Sequence, residues 1–480
     1  MDAVKLAGLE PANVFGYFEK LCSIPHGSGN TKQISDYLVS FAQEHDVRYI
    51  QDENNNIILF QEGTCGMEDH APVILQGHMD MVCDQDADCP INMETDGLDV
   101  QHNGTHVFAK GTTLGGDDGI AVAYALALLA DKSIPHPPLE VIITVDEEIG
   151  LLGADSIDVS MLKGRLMINL DSEEEGIFTV SCAGGVTSTI SLDVERRAVY
   201  GPCIRLTVDG LQGGHSGAEI HKNRANANKV MGEFMSRIQK LMPLCLTSLS
   251  GGAKDNAIPH TAQATLVAMG INLERINDVA AQLQAEIREQ YDEPNACVQA
   301  FDVDALGGNS LSTESTARII SLLCAAPNGI QAWSEDIPGL VQTSLNMGVI
   351  KLGERFTATF SVRSSVAAEK QEVLEQLKKV CQFHEGNYSQ MGDYPGWAFK
   401  KDSVLRETMV ETYKRMYNKE PQILAIHAGL ECGLFSDKLP GLDCVSIGPD
   451  MQDIHTSREK LSIASTRRVW EFLLEVLKAL

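Results

Sequence analysis

Residues 139–150 read Leu139-Glu140-Val141-Ile142-Ile143-Thr144-Val145-Asp146-Glu147-Glu148-Ile149-Gly150. The apolar run from 139 to 145 has the pattern of a strand buried on both faces, as in a parallel sheet. Three consecutive acids at its exit are expensive to desolvate unless something compensates them. In open α/β sheets, that exit is where ligands sit. Two further short apolar runs, at 72–77 and 165–170, read as companion strands, and 119–129 between them reads as a buried helix. Strands alternating with helices predict an α/β layer structure with a central mixed sheet flanked by helices.

Outward from this core, residues 11–45 show helical spacing in Val14, Phe18, Leu21 and Cys22, and 56–60 read as a strand. The character changes after Gly184-Gly185. Segments 188–194 and 204–208 are β-rich, 218–241 reads as a long helix, 261–269 as a strand and 276–291 as an amphipathic helix. Residues 349–352 and 356–363 suggest a hairpin, and 367–383 is helical. The stretch 386–396, with Tyr394-Pro395-Gly396, reads as a return linker. Helix 403–417, strands 422–426 and 442–447 and helix 462–480 resume the α/β pattern. The expected organisation is a discontinuous first domain, 1–184 plus 396–480, with an inserted α+β domain at 185–395.

A chain of 480 residues exceeds one ordinary core, which supports two domains. The formal charge of −28 repels phosphate backbones and anionic lipid, so nucleic acid and membrane are not expected as partners. The apolar run 119–130 is too short to span a bilayer. The N-terminus carries no basic segment followed by an apolar one. Twelve cysteines without a C-x-x-C lack the spacing of a disulfide framework or zinc finger, and point to a reducing, cytoplasmic location.

Four clusters follow predicted strands or open a helix: Gly77-His78-Met79-Asp80, Gly115-Gly116-Asp117-Asp118-Gly119, Asp146-Glu147-Glu148 and Asn169-Leu170-Asp171. Asp453-Ile454-His455 is a distant fifth. Each alone has a plain structural explanation. His78 and Asp80 read as a turn histidine with an Asp cap, Asp117 as an ordinary N-cap, Glu147 and Glu148 as a solvated acidic turn, Asp171 as a turn former and His455 as a structural histidine. Glu173, Glu174 and Glu175 read as solvated. Together the clusters gather carboxylates whose repulsion and desolvation would raise their pKa values steeply without cations. A mixed His/Asp/Glu set suits zinc. Two such ions can hold a hydroxide and polarise a carbonyl at once.

In this order, the five motifs resemble the di-zinc exopeptidases that include carnosinase, carboxypeptidase G and peptidase T. Gly213-Gly214-His215-Ser216-Gly217 and His427-Ala428-Gly429-Leu430-Glu431-Cys432-Gly433 resemble the aminoacyl-histidine dipeptidase branch. Most relatives carry a Lys shortly after the bridging Asp, whereas Gly119 follows Asp118 here. The resemblance implies two Zn²⁺ per subunit, with Co²⁺ or Mn²⁺ as substitutes. His78 and Asp171 would bind one ion, Glu148 and His455 the other, and Asp117 would bridge. Asp80 would orient His78, and Glu147 would be the general base. The inserted domain would be a lid that also forms a homodimer, with His215 and Asn256 reaching substrate and Arg363 clamping its terminal carboxylate. For His215 a surface loop, for Asn256 an Asx-turn before Pro259 and for Arg363 a strand-end surface position remain the alternatives. The expected reaction is hydrolysis of dipeptides, preferentially Xaa-His and including carnosine-like ones, by a zinc-bridged hydroxide. The alternative is deacylation of N-acyl amino acids on the same scaffold. A non-catalytic binding protein is a further alternative that the intact set of roles disfavours.

Overall fold

The computed structural model describes residues 5–268, 273–304 and 307–480. Its chain divides into two units. One comprises Met1–Ser181, Phe399–Ala425 and Leu430–Leu480, the other Cys182–Ala398 and Ile426–Gly429.

The first unit is organised by four mutually parallel strands, in the spatial order Leu139–Thr144, Val73–His78, Leu166–Asn169 and Asp443–Ser446. The first two are buried at every residue, which is why their sequences are mostly apolar, with Gln76, His78, Glu140 and Thr144 as the polar exceptions. Further strands extend both edges. Arg48–Gln51 and Ile57–Gln61 lie beyond Leu139–Thr144, and Ile177–Cys182 and Gln422–Ile426 lie beyond Asp443–Ser446, making eight strands in all. The expected central mixed sheet flanked by helices is present. Parallel register puts Gln76 beside Asn169 and His78 beside Thr144. The carboxyl ends of three neighbouring strands are therefore level, and their exits carry His78, Glu147 with Glu148, and Asp171.

Helix Gly116–Ala130 is buried almost all round and packs on Ala12–Cys22, whose Phe15 and Phe18 are fully enclosed. Its Tyr124 stacks on Trp470 at 5.8 Å and donates its hydroxyl to the Thr466 carbonyl at 2.8 Å, joining it to the closing helix Ile463–Leu477. The predicted helical stretch 11–45 is two helices, Ala12–Cys22 and Lys32–Glu44. Helix Glu431–Lys438 gave no signal, because it spans only eight residues.

The second unit centres on a nine-stranded antiparallel sheet with its own apolar core. Alternating burial along Gly184–Asp193 and Arg355–Ser364 marks a sheet with one face covered, here by helices Ala227–Gln239, Thr313–Ala325 and Ala367–Phe383. The predicted hairpin is longer than its apolar core, Val341–Leu352 against Arg355–Ser364. The predicted helix 218–241 begins only at Ala227. Asn226 caps it by accepting the Asn228 and Lys229 N–H groups, and Ile220–Lys222 is a separate 3-10 turn. The stretch 386–396 is not simply a linker, since Asn387–Tyr394 pairs with Gly184–Asp193. The strand predicted to end at Met269 runs Ala262–Ala268, and Met269 lies outside the described residues.

Gly77 sits where the Val73–His78 strand meets the start of helix Gly116–Ala130. A Cβ there would collide with Asp118 Oδ2 and lie 2.7 Å from Ala121 Cβ. Gly77→Ala should therefore destabilise the protein by about 1–3 kcal/mol, the usual cost of overpacking. An unchanged denaturant midpoint would show that the contact relaxes freely.

Candidate metal centre

His78 ends its strand with its ring buried and its Nδ1 3.0 Å from the Asp80 carbonyl oxygen. The Asp80 carboxylate is farther, 3.5 Å from Nδ1. That carboxylate accepts the Ser28 hydroxyl at 2.8 Å and the N–H groups of Glu147 and Glu148 at 3.0 and 3.4 Å. Asp80 thus touches the imidazole and also ties down the turn that carries both glutamates. Asp146, which opens that turn, adopts left-handed backbone with φ 55 and accepts the Gly29 N–H. A non-glycine residue there is strained, a condition that clusters at functional sites.

Opposite His78 Nε2 stand Asp117 Oδ1 at 3.2 Å and Asp171 Oδ1 at 3.6 Å. The second Asp117 oxygen lies 3.0 Å from His455 Nε2, which is also 2.8 Å from Glu148 Oε1. One carboxylate therefore spans two imidazoles brought from residues 78 and 455. Asp117 does not cap its helix, because no side chain caps it locally.

The electrostatics follow from this crowding. Burial opposes charge on His78, but Asp117, Asp171 and Asp80 outweigh it and raise its pKa well above the usual value. Asp117 and Glu148 raise His455 to about 10. Burial pushes Asp171 to about 6 and Glu147 to about 9. For Asp117 burial works upward too, but the two imidazoles hold it below the carboxylate range.

Donor atoms of Asp117, Glu148 and His455 all lie within 4.8 Å of one another, as do those of His78, Asp118 and Asp171, and those of His78, Glu147 and Glu148. Glu148 Oε1 is buried and, despite its nearness to His455, accepts no hydrogen bond among the described residues. Imidazole nitrogens facing carboxylate oxygens, with a buried acceptor left over, fit zinc or a similar dication.

Three buried acids at the site carried no assigned role. Asp118 is fully buried, accepts the His78 N–H at 3.2 Å and is raised well above the carboxylate range by burial. Glu431 accepts from Gln76 at 2.5 Å and Thr144 at 2.8 Å, and burial pushes it to about 7. Glu459 accepts from the backbone of residues 114–117. Glu431 lies inside a motif already singled out. Nothing local distinguishes Glu459, since its partners are over 340 residues away. Of the three glutamates expected to be solvated, Glu175 instead forms a two-point ion pair with Arg468, both bonds 2.6 Å. Gly119 packs against Phe18, whose ring a Cβ would meet at 3.3 Å.

His215, Asn256 and Arg363 belong to the second unit. His215 pairs with Ala257 in a short antiparallel ladder, and the Asn256 carbonyl accepts the Ser216 N–H at 2.9 Å. His215 Nδ1 accepts the N–H groups of Gly217 and Ala218, so a neutral ring carries its proton on Nε2. Arg363 is only 9% exposed. Its Nη1 donates to the Tyr394 hydroxyl at 3.3 Å, its Nε has no hydrogen-bond partner, and among the described residues it forms no ion pair. It is not a surface arginine. His427 Nε2 lies 2.7 Å from the Ser344 hydroxyl, and burial together with Arg363 lowers its pKa to about 3.

Comparison with known proteins is consistent across the chain. Residues 74–479 match the family described as peptidase family M20/M25/M40. The chain is 36% identical over 479 residues, 99% of each sequence, to the cytosol non-specific dipeptidase of Escherichia coli (strain K12). Its structure matches an aminoacylhistidine dipeptidase from Vibrio alginolyticus with a TM-score of 0.94 and 34% identity, covering 99% and 98% of the two chains. It shares the fold of the aminopeptidase PepT from Bacillus cereus ATCC 10987, at a TM-score of 0.57, 14% identity and coverage of 98% and 99%. No described helix is long and apolar enough to cross a membrane.

His215 has its pKa lowered by burial and then by the Arg363 charge. Its NMR titration midpoint should fall below the ordinary 6.5, with the proton of the neutral ring on Nε2. Arg363→Met should move that midpoint upward. A midpoint that ignores the substitution would mean that Arg363 does not act on His215.

Proposed function

The chain belongs to peptidase family M20/M25/M40, and from that premise we propose that it is a metal-dependent dipeptidase preferring Xaa-His substrates, acting in the cytoplasm. The observation that carries the reading is the Asp117 carboxylate placed between His78 and His455. His78 and Asp171 would hold one zinc, Glu148 and His455 the second, and Asp117 would be shared. Dications bound there would polarise the scissile carbonyl and lower the pKa of water to about 7.

The protein's own groups would do the rest. Glu147 is the proposed base. Burial raises its proton affinity, and the positive charge of bound dications would lower it again, leaving a carboxylate that can take a proton from water and return it to the leaving amine. Asp80 fixes its approach by holding the Glu147 N–H. His215, with its proton on Nε2, would donate to the developing oxyanion, and Asn256 would contact substrate from the same ladder. Arg363 is a buried guanidinium with no counter-ion among the described residues, a costly arrangement that the free carboxylate of a dipeptide would relieve. Dependence on that carboxylate would restrict cleavage to very short peptides. The second unit would serve as lid and dimer contact. The preference for histidine rests on the motif likeness and on the name of the Vibrio alginolyticus relative, and the cytoplasmic placement on that of the Escherichia coli relative.

Exhaustive chelation should abolish hydrolysis of Ala-His, and Zn²⁺, Co²⁺ or Mn²⁺ should restore it. Full activity in metal-free protein would refute the proposal. Glu147→Gln should keep its metal content while kcat falls by about 10²–10⁴, the usual share of general acid–base catalysis. A variant turning over at the parent rate would remove Glu147 from the role. On a panel of Ala-His, β-Ala-His, Ala-Ala and N-acetyl-alanine, the dipeptides should be preferred, Ala-His above Ala-Ala. Preference for N-acetyl-alanine would make the protein a deacylase.

A further inference from the structure

Residues 114–117 lead into helix Gly116–Ala130 through non-helical backbone at Asp117 and Asp118, so no regular helical turn is there to satisfy their N–H groups. The Glu459 carboxylate does so from the far end of the chain. Its Oε2 accepts the N–H groups of Leu114 and Gly115 at 2.7 and 3.1 Å, and its Oε1 those of Gly116 and Asp117 at 2.8 and 3.4 Å. Glu459 is 3% exposed. The backbone is shaped for it. Gly115 has a left-handed φ of 69, and a Cβ on Gly116 would sit 3.0 Å from Glu459 Oε1.

Four residues before Glu459 stands His455. Asp453 and His455 both hold left-handed backbone, with φ 53 and 58, an unfavourable state that must be imposed by surrounding contacts. Ser457 moors the same segment to Asp84 through its N–H and to Asp86 through its hydroxyl. One buried carboxylate therefore fastens the turn that presents Asp117 to the segment that presents His455.

We propose that Glu459 is a positioning residue for the metal centre, setting the separation of Asp117 and His455 so that dication affinity depends on it. The inference rests on the metal-centre reading above. A carboxylate that only caps the helix would affect stability and leave affinity alone. Glu459→Gln replaces one acceptor oxygen by an amide that faces N–H donors, so two of the four bonds are lost while size is kept. Gly116→Ala crowds the same carboxylate from the other side without altering it.

The test is a Co²⁺ titration of chelator-stripped, full-length protein, followed by visible absorption, on the parent, E459Q, G116A and a control, Y124F. The control removes a hydroxyl bond of the same helix and no acid. E459Q and G116A should bind Co²⁺ about 10–100-fold more weakly, the usual effect of losing a group that orients a metal ligand, with an altered d–d band. Y124F should lower the thermal midpoint yet keep parent affinity and spectrum. Parent affinity and spectrum in both E459Q and G116A would overturn the inference, whatever their thermal midpoints. If one of the two does not fold, the other decides. A parent protein that binds no Co²⁺ would sink the metal-centre reading and this inference with it.

Discussion

The Asp117 carboxylate, with one oxygen on His78 and the other on His455, is the interaction on which the rest of the site depends. Around it converge Glu147, Glu148, Asp171 and the buried Asp118. So many acids in a low-dielectric pocket would drive one another to the neutral form. The two imidazoles offset part of this, which is why Asp117 stays low while burial pushes Glu147 to about 9. A site that gathers carboxylates at this cost, in a protein of the M20/M25/M40 peptidases, is built around positive charge.

The scaffold holds these groups in place by polar contacts beneath the strand ends. Asn169 donates to Gln76, Gln76 to Glu431, and Thr144 to Glu431, linking three parallel strands and helix Glu431–Lys438 in one buried network. Asp80 performs the same service for the glutamate turn, and Glu459 for the start of helix Gly116–Ala130. These are acceptors for backbone, amide or hydroxyl groups that would otherwise be buried without partners, and the energetic penalty for losing them is large. The three sets of contacts fix the strand ends, the 146–148 turn and the 114–117 turn.

Much of this was legible in the sequence because its causes are local. A strand buried on both faces is mostly apolar, so 73–78 and 139–144 announce themselves. His78 ends one of those strands, Glu147 and Glu148 follow the other, and Asp171 follows a third. The errors have physical causes as well. The apolar pattern of 218–241 does not reveal that Asn226 starts the helix with its side chain. The glycines and Pro395 around 387–394 suggest a linker, although the strand there is held by pairing with Gly184–Asp193. Glu175 reads as one of three solvated acids until Arg468 is placed beside it.

By itself the sequence determined the alternation of strands and helices, the family motifs and the kinds of side chain available for chemistry, because periodicity and motif spacing are properties of neighbouring residues. Only the tertiary structure decided that Asp117 lies between two histidines 377 positions apart, that Arg363 is buried with no counter-ion among the described residues, and that Glu459 holds the 114–117 turn more than 340 residues away. Those facts concern which distant groups share a space, and the parallel sheet and its buried polar contacts set that, not the order of residues along the chain.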